Sequence, residues 1–302
     1  MKPVLGFIGL GIMGKPMVKN LLSSEYSVHV YNRSHGSVLE MEQEGAIPAS
    51  SPAEVAERAD IIFTMVSNTP DVLEVILGEH GVIRSLKQGK VVIDMSTISA
   101  QATRELAEQI RVTGSFMLDA PVSGGENGAI QGTLSIMVGG QREVFEKCLP
   151  IFQVLGKNIV HVGPSSSGQV VKSCNQVLAA ATLAAMGEAL VMGTKAGVDP
   201  EKIVQVLSGG AARCWALEVR APHVLERDFN PGFKSKLQYK DLGLALELSK
   251  GIDSPMPITG IVHELYKGSM AMGLGEEDHS VVVRVLEQLA GVEVQKGEAV
   301  KC

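Results

Sequence analysis

Residues 4–17 read VLGFIGLGIMGKPM. An apolar run, Val4–Ile8, leads into Gly9-x-Gly11-x-x-Gly14, and the glycines open an amphipathic stretch, Met13–Leu22. A second β-branched run, Val28–Tyr31, follows at the distance of a β-α-β unit. Strand, glycine pattern and helix in that order form a dinucleotide-binding fingerprint, which the glycines alone would not. Gly9 makes the tight turn, Gly11 lets a pyrophosphate approach the backbone, and Gly14 lets helix pack on strand. Together with Leu10, Ile12 and Met13 they place free N–H groups and the positive end of a helix dipole at the phosphates. The second strand ends in Tyr-Asn32-Arg33-Ser34, where an acidic residue would bond the ribose 2′-hydroxyl of NAD. A guanidinium pairs instead with a 2′-phosphate, so Asn32, Arg33 and Ser34 favour NADP, with NAD as the alternative.

Outward from this unit, apolar runs recur at Ile61–Val66, Val91–Met95, Met117–Asp119, Ser135–Val138 and Ile159–Val162. Helical patterns such as Pro52–Arg58 and Ala100–Arg111 lie between them. The alternation predicts an α/β fold, a doubly wound Rossmann sheet of parallel strands covered on both faces. Met65 and Val66, at the carboxyl end of their run, are expected at the cofactor crevice. After Val162 the texture changes. The turn cluster GPSSSG (163–168) precedes one long helical pattern, Gln169–Lys195, and helices alone continue to about Leu289. The expected division is a Rossmann domain over 1–163 and an all-α domain over 164–302, beginning with the long interdomain helix. That helix is rich in Ala and Gly, which predicts burial on every side and contact with a second subunit. The polar tail, 292–302, is expected to fray.

Composition bounds the partners. The chain has 302 residues, 45% hydrophobic and 20% charged, with a formal net charge of −6. That balance suits a soluble protein and invites neither nucleic acid nor an anionic membrane. Four widely spaced cysteines and seven histidines without ligand spacing imply reduced thiols and no metal. The glycine-broken N-terminus is no export signal, and the apolar run 177–187 is too short to span a bilayer. A cytoplasmic protein is expected.

Two further segments follow apolar runs: DMSTIS (94–99) and DAPVSGG (119–125). In open α/β sheets ligands bind beyond the carboxyl ends of strands, which brings Ser96, Thr97 and Ser123 to the crevice. Gly124 and Gly125 can offer consecutive N–H groups to a carboxylate, although Ser and Gly also simply end strands. GQVVKSCNQ (168–176) puts Gly168, Lys172, Asn175 and Gln176 on one helix face. Lys172 either snorkels outward or is a proton donor whose pKa, about 10.4 in water, burial lowers. Hydride addition to a carbonyl leaves an alkoxide, and such a lysine would protonate it. In FKSKLQYKDLGLALEL (233–248), Lys240 and Asp241 open an apolar helix face and read equally well as a solvated helix start.

FIGLGIMGKPM, DAPVSGGENGAIQGTLSIMVGG, GQVVKSCNQ and KDLGLA, in this order, resemble the β-hydroxyacid dehydrogenase family over nearly the whole chain. Its members reduce small semialdehydes and 2-oxo acids or oxidise the matching hydroxy acids. The resemblance implies a Rossmann domain, a long interdomain helix and a dimerising helical domain, in a homodimer or homotetramer. It implies that Lys172 is catalytic with Asn175 beside it, and that Ser123, Gly124 and Gly125 bind a small carboxylate-bearing substrate. It further implies that Thr97 and Lys240 meet the cofactor and that Phe233 and Asp241 lie on the substrate side. The C-terminal GLGEEDHSVVVRVLEQLAGVEV is most similar to members that reduce tartronate semialdehyde. Members acting on 3-hydroxyisobutyrate, glyoxylate or succinic semialdehyde, and a non-catalytic nucleotide-binding scaffold, remain as alternatives. The chain departs from several semialdehyde reductases at YNRS, where they carry an acidic residue.

Overall fold

The protein is seen in a computed structural model that describes residues 2–297. The chain divides into two compact units, Met1–Lys172 and Ser173–Cys302. In the first, the strands are β1 (Leu5–Ile8), β2 (Val28–Tyr31), β3 (Ile47–Pro48), β4 (Ile61–Thr64) and β5 (Val91–Asp94). They continue as β6 (Phe116–Asp119), β7 (Val122–Ser123), β8 (Leu134–Gly139) and β9 (Gly156–Gly163). Among the described residues they form one sheet, ordered β3-β2-β1-β4-β5-β6-β8-β7 with β9 on β8. From β3 to β6 every pairing is parallel, the order of a doubly wound dinucleotide fold.

Burial on both faces explains the continuous apolar strands. Ile61 and Phe63 enter one core cluster with Leu5, Phe7 and Ile93. Ile62, between them, points to the other, with Ile8, Val55 and Val92. The period of two is present, but both phases are apolar because helices cover both faces. Helix starts follow from local chemistry. Asn68 caps the Thr69–Leu77 helix by accepting from the Asp71 N–H (2.8 Å), and Ser99 caps Ala100–Val112.

Parallel pairing does not run through the whole sheet. β8 is antiparallel to β6 and β7, and only β9 restores a parallel partner. A parallel return needs a crossover of about a dozen residues or more. Only the short Gly125–Gln131 helix and a left-handed turn at Gly132 separate β7 from β8. β4 also ends at Thr64, so Met65 and Val66 belong to the following loop.

The helix Ser167–Lys195 runs from the first unit into the second. It is not buried all round: Leu178 and Met192 are 67% and 71% exposed. Glycine serves close packing on the covered side, where a Cβ at Gly187 would lie 2.9 Å from the Leu286 side chain. The run 177–187 understates its length. The helix has 29 residues, and its most apolar 18-residue window has a mean hydropathy of 1.6, enough by length and composition to cross a membrane. Yet Gln169, Lys172 and Gln176 are buried in it and hydrogen-bonded to protein groups, as in the core helix of a globular protein.

The second unit is helical: Pro200–Ser208, a π-turn at Ala216–Arg220, Ser235–Gly251, Pro257–Ala271 and Val282–Ala290. Its core gathers Leu183, Leu190, Leu217, Tyr266, Val282 and Val283. Cys148, Cys174 and Cys214 are free thiols; Cys302 and the end of the polar tail, 298–302, lie outside the described residues.

Candidate active site

The carboxyl ends of β1, β4, β5 and β6 shape one edge of the first unit. Gly9 leaves β1 with φ +104°, and a Cβ there would lie 2.2 Å from the Met65 carbonyl oxygen. A Cβ on Gly14 would collide with the Gly9 carbonyl oxygen. Gly11 differs: its Cβ would meet nothing within 4 Å, so the loop offers bare backbone to open space. A diphosphate needs that surface, and it fits a dinucleotide. Ile12 is exposed beside it, while Leu10 is buried.

Asn32 ties the loop to the tip of β2. Its Oδ1 accepts from the Leu10 N–H (3.0 Å), and its Nδ2 donates to the Ser34 hydroxyl (2.7 Å). Its amide therefore shapes the cradle. Arg33 is an exposed cation at the tip, its side chain 91% exposed and loosely paired with Asp71 at 3.7 Å. An exposed pair of this kind holds the guanidinium by about 0–1 kcal/mol, little enough for a phosphate to outcompete.

Two buried carboxyls stand side by side in register, Asp94 on β5 and Asp119 on β6. Asp94 Oδ1 accepts from the Thr64 hydroxyl (2.7 Å) and the Ser96 N–H (3.1 Å). Burial pushes its pKa up to about 6. Asp119 holds the start of the long helix, accepting from the N–H groups of Ser166 (2.8 Å) and Gln169 (3.0 Å). Burial raises its pKa, and those N–H bonds oppose the rise. The Ser96 hydroxyl in turn accepts from the Val66 N–H (2.9 Å), joining the loops after β4 and β5.

Lys172 does not snorkel. It is buried, and its Nζ donates to the Val122 carbonyl oxygen (2.9 Å), one residue before Ser123. The loop beyond has glycine backbone, Gly124 at φ +132° and Gly125 at φ +62°, conformations that a side chain would strain. The ammonium, the Ser123 hydroxyl and the glycine loop thus belong to one locality of the first unit.

In the second unit a polar chain runs through the core. Asn175 Nδ2 donates to Gln176 Oε1 (2.8 Å), and Gln176 Nε2 donates to Asp241 Oδ2 (2.7 Å). Gln238 Nε2 donates to the Gln176 carbonyl (3.3 Å), and its Oε1 lies 3.3 Å from His279 Nδ1. Lys240 pairs with Asp241 at 3.1 Å. Phe233 and Trp215 stand edge-on to the His279 ring, with centroids 5.5 and 6.0 Å away. Asp241 is buried rather than solvated. Among the polar groups that build the two localities, sequence reasoning does not single out Asp94, Gln169, Gln238 or His279. Only the proximity of Gln169 to Lys172 in the sequence hints at one of them.

Comparison with known proteins agrees with this geometry. Residues 4–163 match the family described as the NAD binding domain of 6-phosphogluconate dehydrogenase. Residues 166–286 match the NAD-binding family of NADP-dependent 3-hydroxyisobutyrate dehydrogenase. The chain is 46% identical to the 2-hydroxy-3-oxopropionate reductase of Escherichia coli, covering 95% of this chain and 98% of that one. It is 41% identical to the 2-(hydroxymethyl)glutarate dehydrogenase of Eubacterium barkeri, over 97% and 98%. The structure of Mycobacterium tuberculosis 3-hydroxyisobutyrate dehydrogenase with L-serine superposes with a TM-score of 0.88 at 30% identity, over 95% and 99%. The chain belongs to the β-hydroxyacid dehydrogenase family and is an NAD(P)-dependent oxidoreductase acting on the CH–OH group of its donors.

Proposed function

We propose that the protein reduces a short oxo acid with NADPH, and that its preferred substrate is tartronate semialdehyde, giving glycerate. The observation that carries this reading is Lys172, a buried ammonium hydrogen-bonded one residue before Ser123. The similarity to 2-hydroxy-3-oxopropionate reductase, another name for tartronate semialdehyde reductase, supports the choice of substrate. The reduced nicotinamide supplies the hydride to the carbonyl carbon. Lys172 Nζ delivers the proton to the carbonyl oxygen and recovers it in the oxidation direction. The N–H groups of Gly124 and Gly125 take the substrate carboxylate, and Ser123 and Asn175 hold its oxygens. Phe233 and Asp241 are the remaining proposed substrate contacts.

Gly9, Gly11, Gly14 and the backbone between them hold the diphosphate. Arg33 and Ser34 take the 2′-phosphate, with Asn32 as their brace; Met65, Val66, Thr97 and Lys240 complete the cofactor contacts. The NADP-dependent dehydrogenase family matched by residues 166–286 supports the preference for the phosphorylated cofactor. The free thiols of Cys148, Cys174 and Cys214 support a reducing, cytoplasmic setting. Exposed Ile258, Ile261 and Leu289, with the groove lined by Pro257, Leu265 and Val285, support a homo-oligomer joined through the helical unit.

A polar pocket favours a substrate that bears hydroxyls, because each buried group left unpaired costs about 1–3 kcal/mol. We expect kcat/KM for tartronate semialdehyde to exceed that for methylmalonate semialdehyde by at least about tenfold. The test is NADPH oxidation over a panel of semialdehydes and glyoxylate. A better rate with methylmalonate or succinic semialdehyde refutes the polar pocket. The Phe233–His279–Trp215 cluster favours that second outcome, since it presents aromatic surface to a longer or apolar chain.

A further inference from the structure

Gln169 lies one helical turn before Lys172 and is buried. Its side chain turns away from the helix to the loop after β5. Its Nε2 donates to the Ser96 carbonyl oxygen (2.8 Å), and its Oε1 accepts from the Ile98 N–H (3.2 Å). Both partners are main chain, so the orientation of the amide is fixed by their chemistry. The side chain completes a two-bond bracket around Thr97, as a neighbouring strand would. The backbone N–H of the same residue is held by Asp119 Oδ2 (3.0 Å). Gly168 brings this turn against the sheet: a Cβ there would lie 2.4 Å from the Met137 carbonyl oxygen. The first turn of the helix is therefore anchored to β6 by its backbone and to the loop after β5 by one side chain.

We propose that Gln169 is a positioning residue, which locks the Ser96–Ile98 loop to the helical turn that carries Lys172. This rests on the function proposed above, in which Thr97 meets the cofactor and Lys172 supplies the proton. The bracket fixes the register between those two groups. An error of about 1 Å in such a register costs up to about a hundredfold in rate. The bracket needs one donor and one acceptor at the end of the side chain. A neutral glutamic acid supplies that pattern, whereas an ionised carboxylate only accepts and faces the Ser96 carbonyl with like charge. Burial would lift the carboxyl of a Gln169→Glu variant above its usual pKa of about 4.3.

The test compares wild type, Gln169→Leu and Gln169→Glu. In protein without cofactor, the Ile98 amide of Gln169→Leu should exchange with solvent at least about tenfold faster than in wild type, having lost its acceptor. In turnover with NADPH, Gln169→Leu should lose about tenfold or more in kcat at every pH. Gln169→Glu should regain activity relative to wild type as pH falls from 8.5 to 5.5, by at least about fivefold. A variant that was merely less stable would not recover on acidification. Unchanged Ile98 exchange in Gln169→Leu, or a pH-independent ratio for Gln169→Glu, overturns the proposal. Wild type inactive toward every semialdehyde refutes the proposed function instead, and the exchange measurement still decides whether the bracket exists. If Gln169→Leu fails to fold, the pH ratio of Gln169→Glu decides.

Discussion

Replacing Asp94 by Asn should stabilise the protein above neutral pH and flatten its pH dependence. Asp94 is fully buried at the end of β5. Its Oδ1 accepts from the Thr64 hydroxyl and the Ser96 N–H, and the Ser96 hydroxyl also supports the carboxylate, while Oδ2 has no hydrogen-bond partner among the described residues. Burial is the largest cause of its raised pKa, and the charge of Asp119 adds to it. The folded protein therefore holds this proton more tightly than the unfolded chain does. The resulting stabilisation is complete below about pH 4, fades as pH rises toward 6, and is gone above that. A pKa moved from 3.8 to about 6 corresponds to about 3 kcal/mol, at 1.36 kcal/mol per pH unit. Asparagine keeps the oxygen that accepts both bonds and carries no charge. It also places an N–H₂ where Oδ2 stood, and an unpaired buried donor costs about 1–3 kcal/mol. The net gain at pH 8 is then about 1 kcal/mol, roughly 2–4 °C in Tm for domains of this size. Thermal or urea unfolding of both proteins from pH 4.5 to 8 reads the difference. It should favour wild type or vanish near pH 4.5 and favour the variant at pH 8. A difference that does not change with pH, or a variant less stable at pH 8 than at pH 4.5 relative to wild type, refutes the reasoning.

Arg33→Ala should raise KM for NADPH far more than for NADH, because only the former loses a phosphate partner. Equal weakening of both cofactors, or an initial preference for NADH, contradicts that role. Light scattering should find at least a dimer at micromolar concentration, and Ile261→Asp, on the exposed apolar face, should shift it toward monomer. A wild-type monomer refutes the oligomer.

What the sequence reveals here follows from how local each constraint is. The glycine loop is legible because Gly9 and Gly14 are demanded by backbone within a few residues or across the first strand pairing. The strands that cross the sheet centre are legible because both of their faces must be apolar. The reversal at β8 is less so: Ser135–Val138 reads as a strand either way, and only the short connection from Ser123 sets its direction. The Arg33–Asp71 pair is invisible in sequence, since nothing local places a capped helix start beside the tip of β2. Lys172 reads in sequence either as a snorkelling helix-end lysine or as a buried one, and its burial against Val122 removes the first reading. Gln169 and Asp119 gave no signal of their own, because a polar residue at a helix start or strand end has many ordinary uses. Their bonds join segments far apart in the chain.

In the proposed reaction Lys172 moves the proton. The direct measurement is steady-state turnover of Lys172→Ala with NADPH and tartronate semialdehyde, beside a titration of NADPH binding to the same protein. Loss of the proton donor should cost about 10²-fold or more in kcat and leave cofactor affinity nearly unchanged. A variant with kcat near that of wild type contradicts it.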